Sequence, residues 1–252
     1  MTESILGKLS NQSKLGKKQF AVLVDPDKTA PNELEQIAAQ ATDSSVDWLL
    51  VGSSLLVDGN VDQTVRVLKD CCDVPIVLFP GNPSHVSPFA DGILLLSLIS
   101  GRNPELLIGS HVVAAPMIKK SGLEVLPTGY MLVDGGRLTS VHYMSNTLPI
   151  PRDKNDIAVC TALAGELLGL KCIYMDAGSG ATQPISKGMI SEVKNELSIP
   201  LIVGGGIKTV DAAIDACDAG ADMLVVGSAI ESKIGKDGLI KELSDAIKDF
   251  AQ

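Results

Sequence analysis

Eight short runs of β-branched and leucine-type residues, all but the third followed by a stretch with helical spacing, constrain the fold of this chain more than any other feature. The runs fall at 20–24, 48–51, 75–79, 93–96, the paired zone 123–126 and 130–133, 171–175, 200–203 and 223–226. Helical spacing occupies 31–41, 61–71, 103–120 (broken at Pro116), 156–168, 186–197, 209–219 and 239–250. Apolar strands without alternation, separated by helices, belong to a parallel sheet covered on its outer face. An open doubly wound sheet is the structural rival, and the count of eight with short βα connections predicts closure into a (β/α)8 TIM barrel. At 252 residues the chain matches the typical length of one such barrel, about 250. One domain over 1–252 is expected. The connection after the third run, Pro80-Gly81-Asn82-Pro83-Ser84 with Pro88 beyond, is too short and proline-rich for an ordinary helix. The barrel is therefore predicted to lack a regular third helix and to open at that wall.

Charge and cysteines narrow the function. The net charge is −9 and no Lys/Arg cluster interrupts it, which argues against a nucleic-acid partner. Cys71, Cys72, Cys160, Cys172 and Cys217 form no CxxC pair and read as reduced thiols of a cytoplasmic protein. The first 18 residues are polar and do not read as a signal peptide. The longest apolar stretch, 92–99, is far short of the roughly 18 residues that span a bilayer. A soluble protein is expected, and transient contact with a membrane interface would suffice for a membrane-dissolved substrate.

In such barrels the active site lies at the C-terminal ends of the strands. The seventh and eighth runs end in Gly204-Gly205-Gly206 and Gly227-Ser228. Glycines let the backbone approach a ligand, and the following helices add their positive ends, so these loops predict a phosphate site; the bland alternative is tight turns. The sixth run ends in Tyr174-Met175-Asp176-Ala177-Gly178-Ser179-Gly180. Ser179 and its flanking glycines would wrap the same ligand. Asp176 is either a carboxylate beside a substrate hydroxyl or a turn aspartate. The first run ends in Asp25-Pro26-Asp27-Lys28 and the second in Gly52-Ser53-Ser54. Neighbouring strands are about 5 Å apart, so Asp25 and Ser53 would reach one ion; on spacing alone, two turn residues is the simpler reading. His85, His111 and His142 show no ligand spacing and are assigned no catalytic role.

Taken in order, these residues resemble the geranylgeranylglyceryl phosphate synthase family, which includes the bacterial heptaprenylglyceryl phosphate synthases. The resemblance runs from about Phe20 to the end. It is carried by Val24-Asp25-Pro26-Asp27-Lys28, Val51-Gly52-Ser53-Ser54, Leu78-Phe79-Pro80-Gly81-Asn82, Pro127-Thr128-Gly129-Tyr130, Ser145-Asn146-Thr147-Leu148-Pro149-Ile150-Pro151, the sixth-strand run, Gly204-Gly205-Gly206-Ile207 and Val226-Gly227-Ser228. The sixth-strand run and the long loop 134–151 look most like the subgroup called group II.

The resemblance implies ether-bond formation between a prenyl diphosphate, geranylgeranyl diphosphate foremost, and the 3-hydroxyl of sn-glycerol 1-phosphate. Heptaprenyl diphosphate is the alternative donor. By position, Asp25 and Ser53 would bind Mg²⁺. Tyr174, Met175, Asp176, Ala177, Gly178, Ser179, Gly180, Gly205, Gly206, Gly227 and Ser228 would hold glycerol 1-phosphate. Asp176 would take the hydroxyl proton, and with the ring of Tyr174 would stabilise positive charge on the allylic carbon. The prenyl tail would leave through the missing third helix. The family often has Glu where this chain has Asp176, which draws the carboxylate back by roughly 1.5 Å. Rival readings are a phosphosugar isomerase or lyase, a flavin-dependent oxidoreductase and a barrel retaining only phosphate binding. Apolar residues at 159–168 would serve either a homo-oligomer face or the monomer core.

Overall fold

The computed structural model describes residues 3–231 and 238–250. The chain opens with α1 (Ile5–Lys14), capped by Ser4, whose hydroxyl accepts from the Gly7 N–H. Eight parallel strands then close on themselves in sequence order: β1 (Gln19–Val24), β2 (Trp48–Val51), β3 (Ile76–Leu78), β4 (Gly92–Leu98), β5 (Glu124–Leu132), β6 (Cys172–Asp176), β7 (Leu201–Gly204) and β8 (Met223–Val226). The predicted barrel is present. Around it lie α2 (Pro31–Asp43), α3 (Val61–Cys71), α4 (Ser110–Ser121), α5 (Ser140–Ser145), α6 (Asn155–Leu167), α7 (Lys187–Glu196), α8 (Val210–Asp218), α9 (Ser228–Glu231) and α10 (Leu239–Asp249). Ser186 and Thr209 cap α7 and α8 through hydrogen bonds from Met189 and Ala212. Between β3 and β4 stands only one 3₁₀ turn, Pro83–His85, so the third barrel helix is missing as expected.

Period-two geometry divides the strands between two cores. Phe20, Val22, Val24, Leu49, Val51, Ile173, Met175 and Val203 pack outward under the helices. Ala21, Trp48, Leu50, Val77, Leu94, Tyr130, Tyr174, Ile202 and Val225 fill the barrel. Both faces are buried, which is why the strands read as unbroken apolar runs. The same alternation fixes which residues at the strand ends face the barrel axis.

The polar N-terminus hides a plug that the sequence pattern does not reveal. Leu9 of α1 is fully buried in the inner core, with Ile5 and Leu6 against it. The Glu124 carboxylate accepts from the Ile5 and Leu6 N–H groups, each at 2.8 Å. These are first-turn donors with no partner inside their own helix. Replacing Glu124 with alanine is expected to cost about 1–3 kcal/mol, because two such donors lose their acceptor. Urea denaturation measures this, and an unchanged midpoint would show that α1 is not held there.

Two helix and strand expectations are corrected. The segment expected to break at Pro116 continues through it to Ser121; it begins as a π turn, Glu105–Gly109, and ends at Gly122 with φ +77°. The paired zone is one strand despite Pro127. The Pro127 carbonyl accepts from the Lys171 N–H, so its nitrogen faces the side where β6 has not yet begun. A prolyl nitrogen there removes no ladder bond. The long loop holds α5 and a bridge between Val133 and Ile150. Residues 159–168 divide: Ala162 and Gly165 are buried, whereas Leu167 and Leu168 are exposed. No helix among the described residues is long and apolar enough to cross a membrane.

Candidate active site

Strand alternation carries Leu23 to Asp25, Leu50 to Gly52, Val77 to Phe79 and Tyr174 to Asp176 on the inward side. Asp25 is buried at the rim. Ser53 donates its hydroxyl to Asp25 Oδ2 at 3.1 Å, so the two expected ion ligands do meet. Lys28, not foreseen as a site residue, places its ammonium 2.6 Å from the same oxygen and 4.0 Å from Glu231 of α9. Burial works against the Lys28 charge, but hydrogen bonding to Asp25 and the charges of Glu231, Asp25 and Asp27 outweigh it and raise its pKa. Burial pushes the Glu231 carboxyl up against the opposing charge of Lys28. Asp27 acts elsewhere. Its carboxylate accepts from the N–H groups of Val57, Asp58 and Gly59, tying down the β2–α3 loop.

Across the same cavity lie the glycine loops. Ser179 and Ser228, from the ends of β6 and β8, touch through their hydroxyls at 2.8 Å. Gly178, Gly180, Gly205 and Gly206 all have positive φ, between +74° and +86°. Strand geometry therefore ends abruptly there, and the backbone turns with no Cβ in the way. Ser179, Gly180, Gly205, Gly206, Gly227 and Ser228 line one cavity of about 100 Å³ together with Asp25, Ser53, Lys28 and Glu231. The anion side and the cation side thus share one mouth.

Three of the residues expected to hold glycerol phosphate present no side chain to this cavity. The Met175 and Ala177 side chains are buried in the outer core, because alternate residues of a strand face opposite ways. Gly178 does not line the cavity; its N–H donates to Asp176 Oδ1 at 2.7 Å.

Asp176 sits on the cavity wall. Its Oδ2 accepts from the Tyr130 hydroxyl at 2.5 Å. Burial pushes its carboxyl above the usual carboxylate range, although hydrogen bonds from Tyr130 and Gly178 and the nearby His142 pull the other way. Burial, with the Asp176 carboxylate beside it, pushes the Tyr174 phenol well up. Tyr174 stacks on Phe79 at 5.3 Å between ring centres, and Tyr130 meets both rings at 5.6–6.0 Å. This aromatic floor depends on Gly204, where any Cβ would lie 2.4 Å from the Tyr174 hydroxyl. Tyr130 and Phe79 fall within the sequence motifs but were given no role there. Strand parity was the available signal for both.

A second, mostly apolar cavity of about 310 Å³ opens between the β3–β4 turn and α4. Leu94, Leu96, Ala114 and Ile118 line it, and it shares Phe79, Tyr130, Ser53, Ser54 and Val141 with the polar cavity. It occupies the wall where the third helix is missing. His85 braces that wall as a turn residue, accepting from the Gly81 N–H at 3.2 Å.

Comparison with known proteins gives a consistent result. The family described as the PcrB family matches residues 13–247. A geranylgeranylglyceryl phosphate synthase from Chitinophaga pinensis is 53% identical, over 98% of this chain and 97% of that protein. Its namesake from Thermococcus kodakarensis is 38% identical over 91% of this chain and 89% of its own length. Among solved structures, (S)-3-O-geranylgeranylglyceryl phosphate synthase from Thermoplasma acidophilum, in complex with substrate sn-glycerol-1-phosphate, superposes with a TM-score of 0.92. That structure is 31% identical, covering 99% of this chain and all of its own.

Proposed function

The chain belongs to the PcrB family, and from that premise we propose that it transfers a prenyl group, geranylgeranyl foremost, from its diphosphate to the 3-hydroxyl of sn-glycerol 1-phosphate. One observation carries the reading: a small polar cavity with glycine loops on one side and Asp25 with Ser53 on the other runs directly into an apolar cavity. Such a shape fits a short phosphate, a diphosphate and a hydrocarbon tail in that order.

Gly205, Gly206, Gly227, Ser228, Ser179 and Gly180 would bind the phosphate of the acceptor and fix its hydroxyl. Asp25 and Ser53 would hold Mg²⁺. The donor set fits: a carboxylate and a hydroxyl oxygen 3.1 Å apart suit a hard cation whose shell is completed by diphosphate oxygens and water. Among the described residues no three His, Cys, Asp or Glu side chains gather to hold a metal, so substrate oxygens are needed there. When bound, Mg²⁺ neutralises the leaving diphosphate. Lys28 supplies a second positive charge at that corner. Asp176 takes the hydroxyl proton as the ether bond forms and the allylic C–O bond breaks. The faces of Tyr174 and Phe79 shield developing charge from water. Exposed Leu167 and Leu168, at and just beyond the end of α6, support assembly as a homo-oligomer. Five unpaired cysteines support a cytoplasmic setting.

Incubation with labelled glycerol 1-phosphate and a ladder of prenyl diphosphates, with and without Mg²⁺, tests the proposal. An ether product is expected, with the geranylgeranyl donor preferred and the yield abolished by chelation. No product from any donor would end the transferase reading. A product insensitive to chelation would remove Mg²⁺ from it.

A further inference from the structure

The polar cavity is short of positive charge for the ligand proposed for it. Its walls carry three carboxyl groups, Asp25, Asp176 and Glu231, against two lysines, Lys28 and Lys208. Lys28 is committed to Asp25 and Glu231 on the Ser53 side. A phosphate monoester brings a further charge of about −1.5 to −2 at neutral pH. The backbone N–H groups of the glycine loops supply donors but only partial charge.

Two uncommitted cations stand beside those loops. Lys208 follows Gly206-Ile207 beyond β7, is exposed, and lines the cavity with Gly205 and Gly206. Arg137, also exposed, lies in the β5–α5 loop. One nitrogen of its guanidinium is 4.0 Å from the place that a Cβ on Gly180 would take, and Gly180 lines the same cavity. Among the described residues neither side chain makes a hydrogen bond or an ion pair. Asp134, the acid of the Arg137 loop, accepts from the Gly136 N–H at 2.9 Å instead.

The fold fixes where Arg137 stands. The Gly135 carbonyl accepts from the N–H groups of Thr182 and Gln183 at 3.0 and 3.1 Å, and from the Thr182 hydroxyl at 3.0 Å. A Cβ on Gly135 would lie 2.6 Å from the Ala181 Cβ and 2.7 Å from the Ala177 carbonyl oxygen, so glycine is what lets the two loops lie this close. The β5 loop is thereby tied to the β6 loop that carries Ser179 and Gly180. In the closed barrel β6 lies between β5 and β7, so Arg137 and Lys208 come from the loops on either side of that turn. A guanidinium fork also matches phosphate oxygens two at a time.

We infer that Arg137 and Lys208 bind the phosphate of the acceptor, Arg137 across Gly180 and Lys208 from beside Gly206, and so select a phosphorylated over a neutral polyol. The identity of the acceptor rests on the transferase reading; the capture of a phosphate by these two cations does not. The donor diphosphate has the same chemistry, but Asp25, Ser53 and Lys28 are placed for it across the cavity.

The test is calorimetric titration of the full chain with glycerol 1-phosphate, without donor, for wild type, Arg137→Gln, Lys208→Gln and the double variant. Each single variant is expected to lose roughly fivefold in affinity, the upper end for exposed charge pairs, and the double variant roughly twentyfold. Arg137→Lys should recover part of the loss. Both side chains are exposed, so the melting temperature should be unchanged. In steady state the double variant should show a raised KM for glycerol 1-phosphate, with kcat and the KM for the prenyl diphosphate unchanged. Turnover of glycerol at high concentration, an acceptor without the phosphate, should match wild type. Wild-type affinity in the double variant, or no binding to the wild type, overturns the inference. So does a KM increase confined to the diphosphate, which would give the two cations to the donor. An equal loss with glycerol would show a structural role and overturn it as well. Weakened glycerol 1-phosphate binding in the variants, with no ether product from any donor even in wild type, leaves the inference standing and fails only the transferase reading.

Discussion

Replacing Asp176 with asparagine is expected to lower kcat by roughly 10²–10⁴, the range for removing a general base, while leaving the melting temperature at or above that of the wild type. Both effects follow from one fact, the burial of the carboxyl. Burial raises its pKa from the ordinary 3.8, against hydrogen bonds from Tyr130 and Gly178. A raised carboxyl pKa means that the folded chain holds the proton more tightly than the unfolded one. Stability is therefore greatest below the ordinary carboxylate range and declines as pH rises through the raised folded value. Near neutrality the ionised Asp176 is a burden on the fold, and asparagine removes it. Its Oδ1 still accepts from Gly178, and its amide still faces the Tyr130 oxygen. The stability gain should vanish in acid and grow toward neutral pH. Glycerol phosphate affinity should stay within a few-fold, because the glycine loops are untouched. A variant with wild-type kcat would remove Asp176 from the proton transfer. One that melts well below wild type at neutral pH would refute the burial argument.

The barrel was legible because each strand is buried on both faces, so eight apolar runs stand out from the amphipathic helices. Asp25, Ser53, Ser179 and Ser228 were found because they follow strand ends, and barrel geometry gathers strand ends on one rim. What escaped was contact between residues that no motif joins. Lys28 reaches Glu231 only once β1 and β8 are neighbours. Tyr130 meets Asp176 across the β5–β6 pair. Within the sixth-strand run, alternation turns the Met175 and Ala177 side chains to the outer core, which leaves their backbone groups to make the expected contacts. The α1 plug was missed because its burial is confined to a narrow stripe around Leu9 on a helix that is otherwise polar.

Gly205 and Gly227 line the same cavity for different reasons. Gly205 has φ +80°, and a Cβ there would lie 2.5 Å from Asp176 Oδ1 and 2.7 Å from the Ala177 and Gly178 nitrogens. An alanine would be strained in its backbone and pressed against the groups that hold Asp176. The backbone strain alone costs about 1–3 kcal/mol. Relief requires the β7 turn to move, which moves the predicted phosphate contacts with it. Gly205→Ala is therefore expected to lose at least tenfold in glycerol 1-phosphate affinity and to drop in melting temperature. At Gly227 the backbone φ is not positive, and the nearest atoms, on Leu23, lie 3.3 Å from a built Cβ. Gly227→Ala should cost less than about 1 kcal/mol, since no large mechanism of destabilisation applies there. Calorimetric titration of both variants with glycerol 1-phosphate, beside thermal melts, separates the cases. Equal losses at the two positions would mean that the β7 turn owes its glycine to something other than its left-handed backbone and the crowding around Asp176.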